Sequence, residues 1–264
     1  MLILWYNQID NIKVQGETMD IRPAWLDEYA DIINKTRNKF VKIHVVEEAN
    51  LQYAIIRLFA RTTISMCEIY TLMNNGYPMG AFALSRQIYE SIALMDYLIA
   101  HKNDAAMIER YFDDIEISSI KIQIKKESYI KAETTISAAD QLKKYIKKYQ
   151  NFYDEKKGFT DYWWVKKNGI FSDIVKESQY HKYYMYKATS SVIHMSLFNS
   201  MAYLGNNQTE VLIGETYDGI EQAGWYSMLC YCAAMTLLEQ VCTVNLNDLI
   251  SLGCELEERI SENL

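Results

Sequence analysis

The stretch Ile220-Glu-Gln-Ala-Gly-Trp-Tyr-Ser-Met-Leu-Cys-Tyr-Cys-Ala-Ala-Met-Thr-Leu-Leu-Glu-Gln-Val-Cys-Thr-Val244 decides the fold class. It holds no proline and a single glycine, and it runs well past the roughly five to six residues of an ordinary strand. Apolar residues occupy nearly every side of the helix it would form, so it is read as a buried central helix rather than an amphipathic surface one. Its most apolar part, Tyr226 to Leu238, ends at Glu239-Gln240, short of a charge-free membrane span, and no other stretch reaches that length. A helix buried on all sides needs packing partners around it.

The rest of the chain supplies helices. Ten glycines and two prolines in 264 residues leave little material for the frequent turns of a sheet architecture. Successive segments read as helices with local punctuation. The first covers Pro23 to Lys42 and the second Glu48 to Met73, stopped by Asn74-Asn75-Gly76. Pro78 opens a third, ending near His101-Lys102, and Asn103-Asp104 caps a fourth from Ala105 to about Lys131. Ser137-Ala-Ala-Asp140 starts a fifth, ending by Gly158, which makes a lysine-rich helical hairpin with the fourth. Thr160 to Gly169, with Trp163-Trp164, reads as an irregular, partly buried connection to a short helix from Ser172 to Ser178. A helix from Lys182 to Leu204 precedes a loop or short hairpin from Asn206 to Gly219, and Asn247-Asp248 caps a last helix to Glu262. The expected architecture is all-α: residues 1–19 form a loose N-terminal extension and residues 20–264 a single multi-helix bundle.

Half of the residues are hydrophobic and 23% charged, the balance of a globular chain, and the formal charge is -7. That acidity opposes a general affinity for nucleic acid or anionic membranes. Lysines gather at Lys125, Lys126, Lys143, Lys144, Lys147 and Lys148 with Tyr145 and Tyr149 between them, the pattern of a nucleic-acid groove. Glu127, Glu133 and Asp140 break the patch, so a solvated helical face is the leading reading. The five cysteines, Cys67, Cys230, Cys232, Cys242 and Cys254, form no CxxC pair and are read as free thiols of a cytoplasmic protein. No zinc-protease or di-iron helix motif, phosphate-binding loop or dinucleotide fingerprint is present, and no metal or cofactor is expected.

Two segments place ionisable groups among small and aromatic neighbours, where charges cost free energy unless paired or used. In Met79-Gly-Ala-Phe-Ala-Leu-Ser-Arg-Gln-Ile-Tyr-Glu90, a helical wheel groups Arg86 and Glu90 with Phe82, Ala83, Ala93 and Tyr97. Arginine one turn ahead of glutamate is the weaker order for an exposed pair. The pattern therefore has two readings: an internal salt bridge joining helices, to which Arg61 of the preceding helix adds, or an arginine fork for a phosphate or carboxylate. In the second segment the wheel gathers Tyr183, Lys187, Ser190, Ser191 and His194 on one face. His194 suits a general acid or base, Lys187 an anion, and the serines a ligand; a core histidine bonded to a tyrosine or carbonyl is the structural alternative. No serine-hydrolase elbow accompanies the serines.

With Arg61, Gly76, Gly80-Ala81, Arg86-x-x-x-Glu90 and Tyr186-x-x-x-Ser190-x-x-x-His194 in view, the chain resembles an uncharacterised bacterial helical family, domain of unknown function five-six-seven-seven, over about Asn50 to Leu204. That resemblance implies a helical bundle and no established chemistry. More distantly the chain is similar to the HEPN ribonucleases, helical dimers that cleave RNA without metal through an arginine and a histidine separated by four to six residues. His194 then takes the histidine role, while Lys187 stands where the arginine belongs, a departure because lysine lacks the bidentate fork. The expected function is a metal-independent ribonuclease or nucleotide phosphodiesterase built on His194, Arg86, Lys187 and Glu90, with Arg61, Ser190, Ser191, Tyr186 and Tyr183 binding the ligand. The alternative is a non-enzymatic ligand-sensing or partner-binding component of a defence or toxin-antitoxin type system. Expected partners are RNA or a nucleotide in a local cleft, and a protein partner or second copy, with no membrane.

Overall fold

The computed structural model describes residues 22–41, 50–130, 137–180, 217 and 219–264, without the side chains of 128–130. Among these the fold is all-α. Eight helices follow in order: α1 (Trp25–Phe40), α2 (Leu51–Asn74), α3 (Pro78–Ala100), α4 (Ala105–Ile130), α5 (Ala138–Lys148), α6 (Phe171–Glu177), α7 (Ile220–Glu239) and α8 (Asn247–Ser261). No strand occurs among the described residues, and none of their helices is long and apolar enough to cross a membrane.

Most helix ends follow from the residues that punctuate them. The Asn50 side-chain oxygen accepts the Tyr53 amide at 2.9 Å and caps α2. At its other end Gly76 takes a φ of 74°, which lets the Gly76 and Tyr77 amides turn back to the carbonyls of Met73 and Leu72 before Pro78 starts α3. Asp104 caps α4 through the Met107 amide at 2.9 Å, and Ser137 caps α5 through the Asp140 amide at 3.2 Å. The α5 helix ends at Lys148, ahead of Gly158 as expected, and the residues that follow turn through Asp154, whose carboxylate accepts the Lys156 and Lys157 amides. One end falls short of expectation. The α7 helix stops at Glu239, whose carboxylate accepts the Leu246 amide and so closes the turn into α8.

The chain divides into two compact units. The first comprises Met1–His44, Ile56–Ile92 and Lys182–Leu264, the second Val45–Ile55 and Ala93–His181. In the first, α7 is the central helix and is buried on nearly all sides. The Tyr29 hydroxyl of α1 shares a hydrogen bond with Ser227 at 2.6 Å, and Thr63 of α2 meets Tyr231 at 3.2 Å. Phe82 of α3 packs edge-on to Tyr226. Two glycines set the helix spacing: a Cβ on Gly224 would meet the Trp25 ring at 2.4 Å, and one on Gly253 would meet the Cys232 sulfur at 2.5 Å. Fully burying aliphatic side chains such as Leu237, Met235 and Leu256 contributes roughly 1.5 to 3 kcal/mol each, the main force holding α7 and α8 in place.

The second unit is organised by the tryptophan pair. Trp163 and Trp164 are 0% and 1% exposed, so the irregular segment carrying them is partly buried, as expected, and plants both rings in the core of this unit. The Trp163 indole donates to Asp114 at 2.6 Å, and Arg110 donates to the Trp164 carbonyl at 3.0 Å. The α4–α5 hairpin forms as expected. Lys148 sits between Glu109 and Asp113 at 2.8 and 2.7 Å, Tyr149 donates to Asp113 at 2.5 Å, and Tyr145 donates to Glu116.

Candidate functional site

Arg86 and Glu90 stand one turn apart on α3, whose Ser85, Ile88, Tyr89 and Ile92 are buried. With those positions committed to packing, the polar pair falls on the remaining strip beside Phe82, Ala83 and Gln87, all half-exposed. The Arg86 Nε donates to Glu90 Oε1 at 2.9 Å, and the side chains keep 21% and 31% exposure. The pair is therefore half-buried and formed within one helix. Its carboxylate fixes the plane of the guanidinium, which is the geometry needed to present a fork to an anion.

Arg61 projects from the exposed side of α2, among Arg57, Ile64 and Glu68, and has no ion-pair partner among the described residues. Tyr183, Tyr186, Lys187, Ser190, Ser191 and His194 lie outside the described residues, and so does the expected meeting of the Lys187–His194 face with the Arg86–Glu90 face. Among the described residues no group of three or more histidine, cysteine or acidic side chains is arranged to hold a metal ion.

The lysines singled out in the hairpin have carboxylate partners at two positions. Lys148 is clasped by Glu109 and Asp113, whose hydrogen bonds push its pKa up, and Lys143 pairs with Asp140 at 2.8 Å.

Three polar groups of the second unit were assigned no site role from the sequence. Asp96, 8% exposed, accepts the Ser178 hydroxyl and the Gln179 amide at 2.8 Å and the Gln179 side chain at 2.9 Å. Three donors satisfy a buried carboxylate, so Asp96 ties the end of α6 to α3. Asp114 carries a proton to unusually high pH: burial raises its pKa to about 6, against the lowering effects of the Trp163 indole and Lys121. His101, at the end of α3, stacks on Tyr97 at 4.2 Å and reaches Glu177 at 3.5 Å. The sequence signal for Asp96 was a lone carboxylate in the apolar run Ala93-Leu-Met-Asp96-Tyr-Leu-Ile, since such residues are almost never buried unpaired.

A family model described as "Family of unknown function (DUF5677)" matches residues 52–211. No curated protein and no solved structure matches the chain. The match spans more than half of the sequence and includes Arg61, Arg86, Glu90 and the Tyr183–His194 segment: the chain belongs to this family of unknown function.

Proposed function

We propose that Arg86, held by Glu90, is the anion-binding arm of a metal-independent phosphodiester hydrolase acting on RNA or a nucleotide. The observation that carries this reading is the Arg86–Glu90 pair, with Nε bound at 2.9 Å and a fifth of the arginine side chain still open. An oriented guanidinium needs little reorganisation to meet a phosphate, and it stabilises charge that develops on the phosphorus oxygens. In this scheme His194 exchanges the proton with the attacking or leaving oxygen and Lys187 adds a second positive charge. Ser190, Ser191, Tyr183, Tyr186 and Arg61 hold the rest of the ligand. The protein works in the cytoplasm, as a dimer or with a protein partner.

The test is cleavage of RNA and of a dinucleotide by the purified full chain in EDTA. Wild-type turnover is expected, with none in His194→Ala and at least a tenfold loss in Arg86→Ala, circular dichroism confirming that both variants fold. Wild-type activity no higher than that of His194→Ala ends the catalytic reading.

A second reading, a non-enzymatic ligand sensor or partner-binding component of a defence or toxin-antitoxin type system, is favoured by the paired lysines. Among the described residues Lys148 and Lys143 are engaged by carboxylates, and with a net charge of -7 this weakens the attraction of the α4–α5 hairpin for a long polymer. This reading expects nucleotide binding by calorimetry without turnover, and loss of that binding in Arg86→Ala.

A further inference from the structure

Cys232 lies on α7 and Cys254 on α8, and the two helices approach closely where these residues stand. A Cβ on Gly253 would lie 2.5 Å from the Cys232 sulfur and 3.3 Å from the Met228 sulfur, so Cys232 rests on the α8 backbone at the residue before Cys254. Its thiol also faces the Ile250 carbonyl oxygen at 3.8 Å. In an α-helix that carbonyl is the acceptor for the amide of residue 254, so the sulfur sits against the turn that carries Cys254. Cys254 is close enough for its thiol to raise the pKa of Cys232, together with burial. Their exposures differ sharply: Cys232 is 5% exposed, whereas Cys254 is open to solvent.

We propose that Cys254 and Cys232 are a redox pair that closes to a disulfide between α7 and α8 when the protein meets a hydroperoxide. Cys254, the accessible thiol, attacks one peroxide oxygen. The O–O bond breaks, an S–O bond forms, and the leaving hydroxide takes the thiol proton to become water. The Cys232 sulfur then attacks the Cys254 sulfur, the S–O bond breaks, and the departing hydroxide takes the Cys232 proton as a second water. Two thiols lose two electrons in total and one hydroperoxide is reduced by two. Burial and the Cys254 neighbour push the Cys232 thiol up, so little of it is thiolate at neutral pH and its attack on the Cys254 sulfur is the slow step. In a reducing compartment the bridge is transient and is reopened by a dithiol reductant.

The experiment treats the reduced full chain with hydrogen peroxide, blocks remaining thiols after unfolding, and cleaves at Glu239, between the two cysteines. The expected result is an intact mass lower by two hydrogens, a cross-link joining the Cys232 and Cys254 fragments, reversal by dithiothreitol, and a higher melting temperature for the oxidised protein. The link persists in Cys230→Ala and Cys242→Ala and is lost in Cys254→Ser, an exposed substitution that leaves the packing intact. Cys232 still open to alkylation after oxidation overturns the proposal, as does Cys254 found as sulfinic acid or bridged to a second chain.

Discussion

Asp114 is a carboxyl enclosed by its own fold, with the Trp163 indole as its 2.6 Å donor and a pKa raised to about 6. In the unfolded chain an aspartate titrates near about 3.9, so between these values the folded protein holds a proton that the unfolded one has released. Stability from this group is complete below about pH 4, falls as the pH rises, and is lost above about 6. Each tenfold difference in proton affinity is worth about 1.4 kcal/mol, so the gap between the folded and unfolded carboxyl corresponds to about 3 kcal/mol. Asp114→Asn keeps an oxygen for the indole and removes the charge, so it should stabilise the protein by up to about that amount at about pH 8 and by almost nothing at about pH 4. Urea unfolding at both values measures this; an equal effect at both would remove the carboxyl as the cause. The partners of Asp114 and Asp96 were not legible in the sequence, because Trp163 and Ser178 come from 49 and 82 positions further along the chain. Arg86 with Glu90 was legible, since one helical turn is a local relation.

At the scale of elements, what could be read was whatever a few neighbouring residues decide. The Asp104 and Ser137 caps serve amides three positions away and the Gly76 stop turns amides back to carbonyls within five, and all three stand where expected. The end of α7 does not, because the apolar pattern of Val241 and Cys242 continues past Glu239 while the chain has already turned under its carboxylate toward α8. Helix contacts also escape a wheel. Gly253 looks like a weak point in α8, and alanine there should gain roughly 1 kcal/mol in helix propensity. Its Cβ would lie 2.5 Å from Cys232 Sγ, and such overpacking costs roughly 1 to 3 kcal/mol. Gly253→Ala is therefore expected to destabilise by about 1 kcal/mol, and Cys232→Ala in the same chain to recover most of the loss. Denaturant midpoints of the two single variants and the double variant close this cycle; an unchanged cost in the Cys232→Ala background would mean the sulfur is not the obstacle.

For the molecule as a whole, helical class and the central place of Ile220 to Glu239 were readable because an apolar surface on every side leaves a helix no other position. Two helices contribute to both compact units: α2 gives Leu51–Ile55 to the second and its remainder to the first, and α3 passes from the first to the second after Ile92. Melting one unit frays hydrogen-bond ladders that continue into the other, so a single unfolding transition is expected, with far-ultraviolet dichroism and tryptophan fluorescence superimposing in urea. Two resolved transitions would show the units to be independent domains. The first unit is discontinuous along the chain in another sense. Glu28 of α1 pairs with Arg259 of α8, and Tyr29 with Ser227 of α7, across about two hundred residues or more. On a ribosome, α1 can meet α2 early, through Tyr29 with Met66 and Phe40 with Phe59, but the part of its face that α7 and α8 cover must wait through most of translation, while the segment from Ala93 to His181 is already complete. Nascent chains arrested before α7 should therefore expose α1 to chaperones or proteases and protect the Trp163–Trp164 core, a division of labour in time that follows from which helices α7 joins.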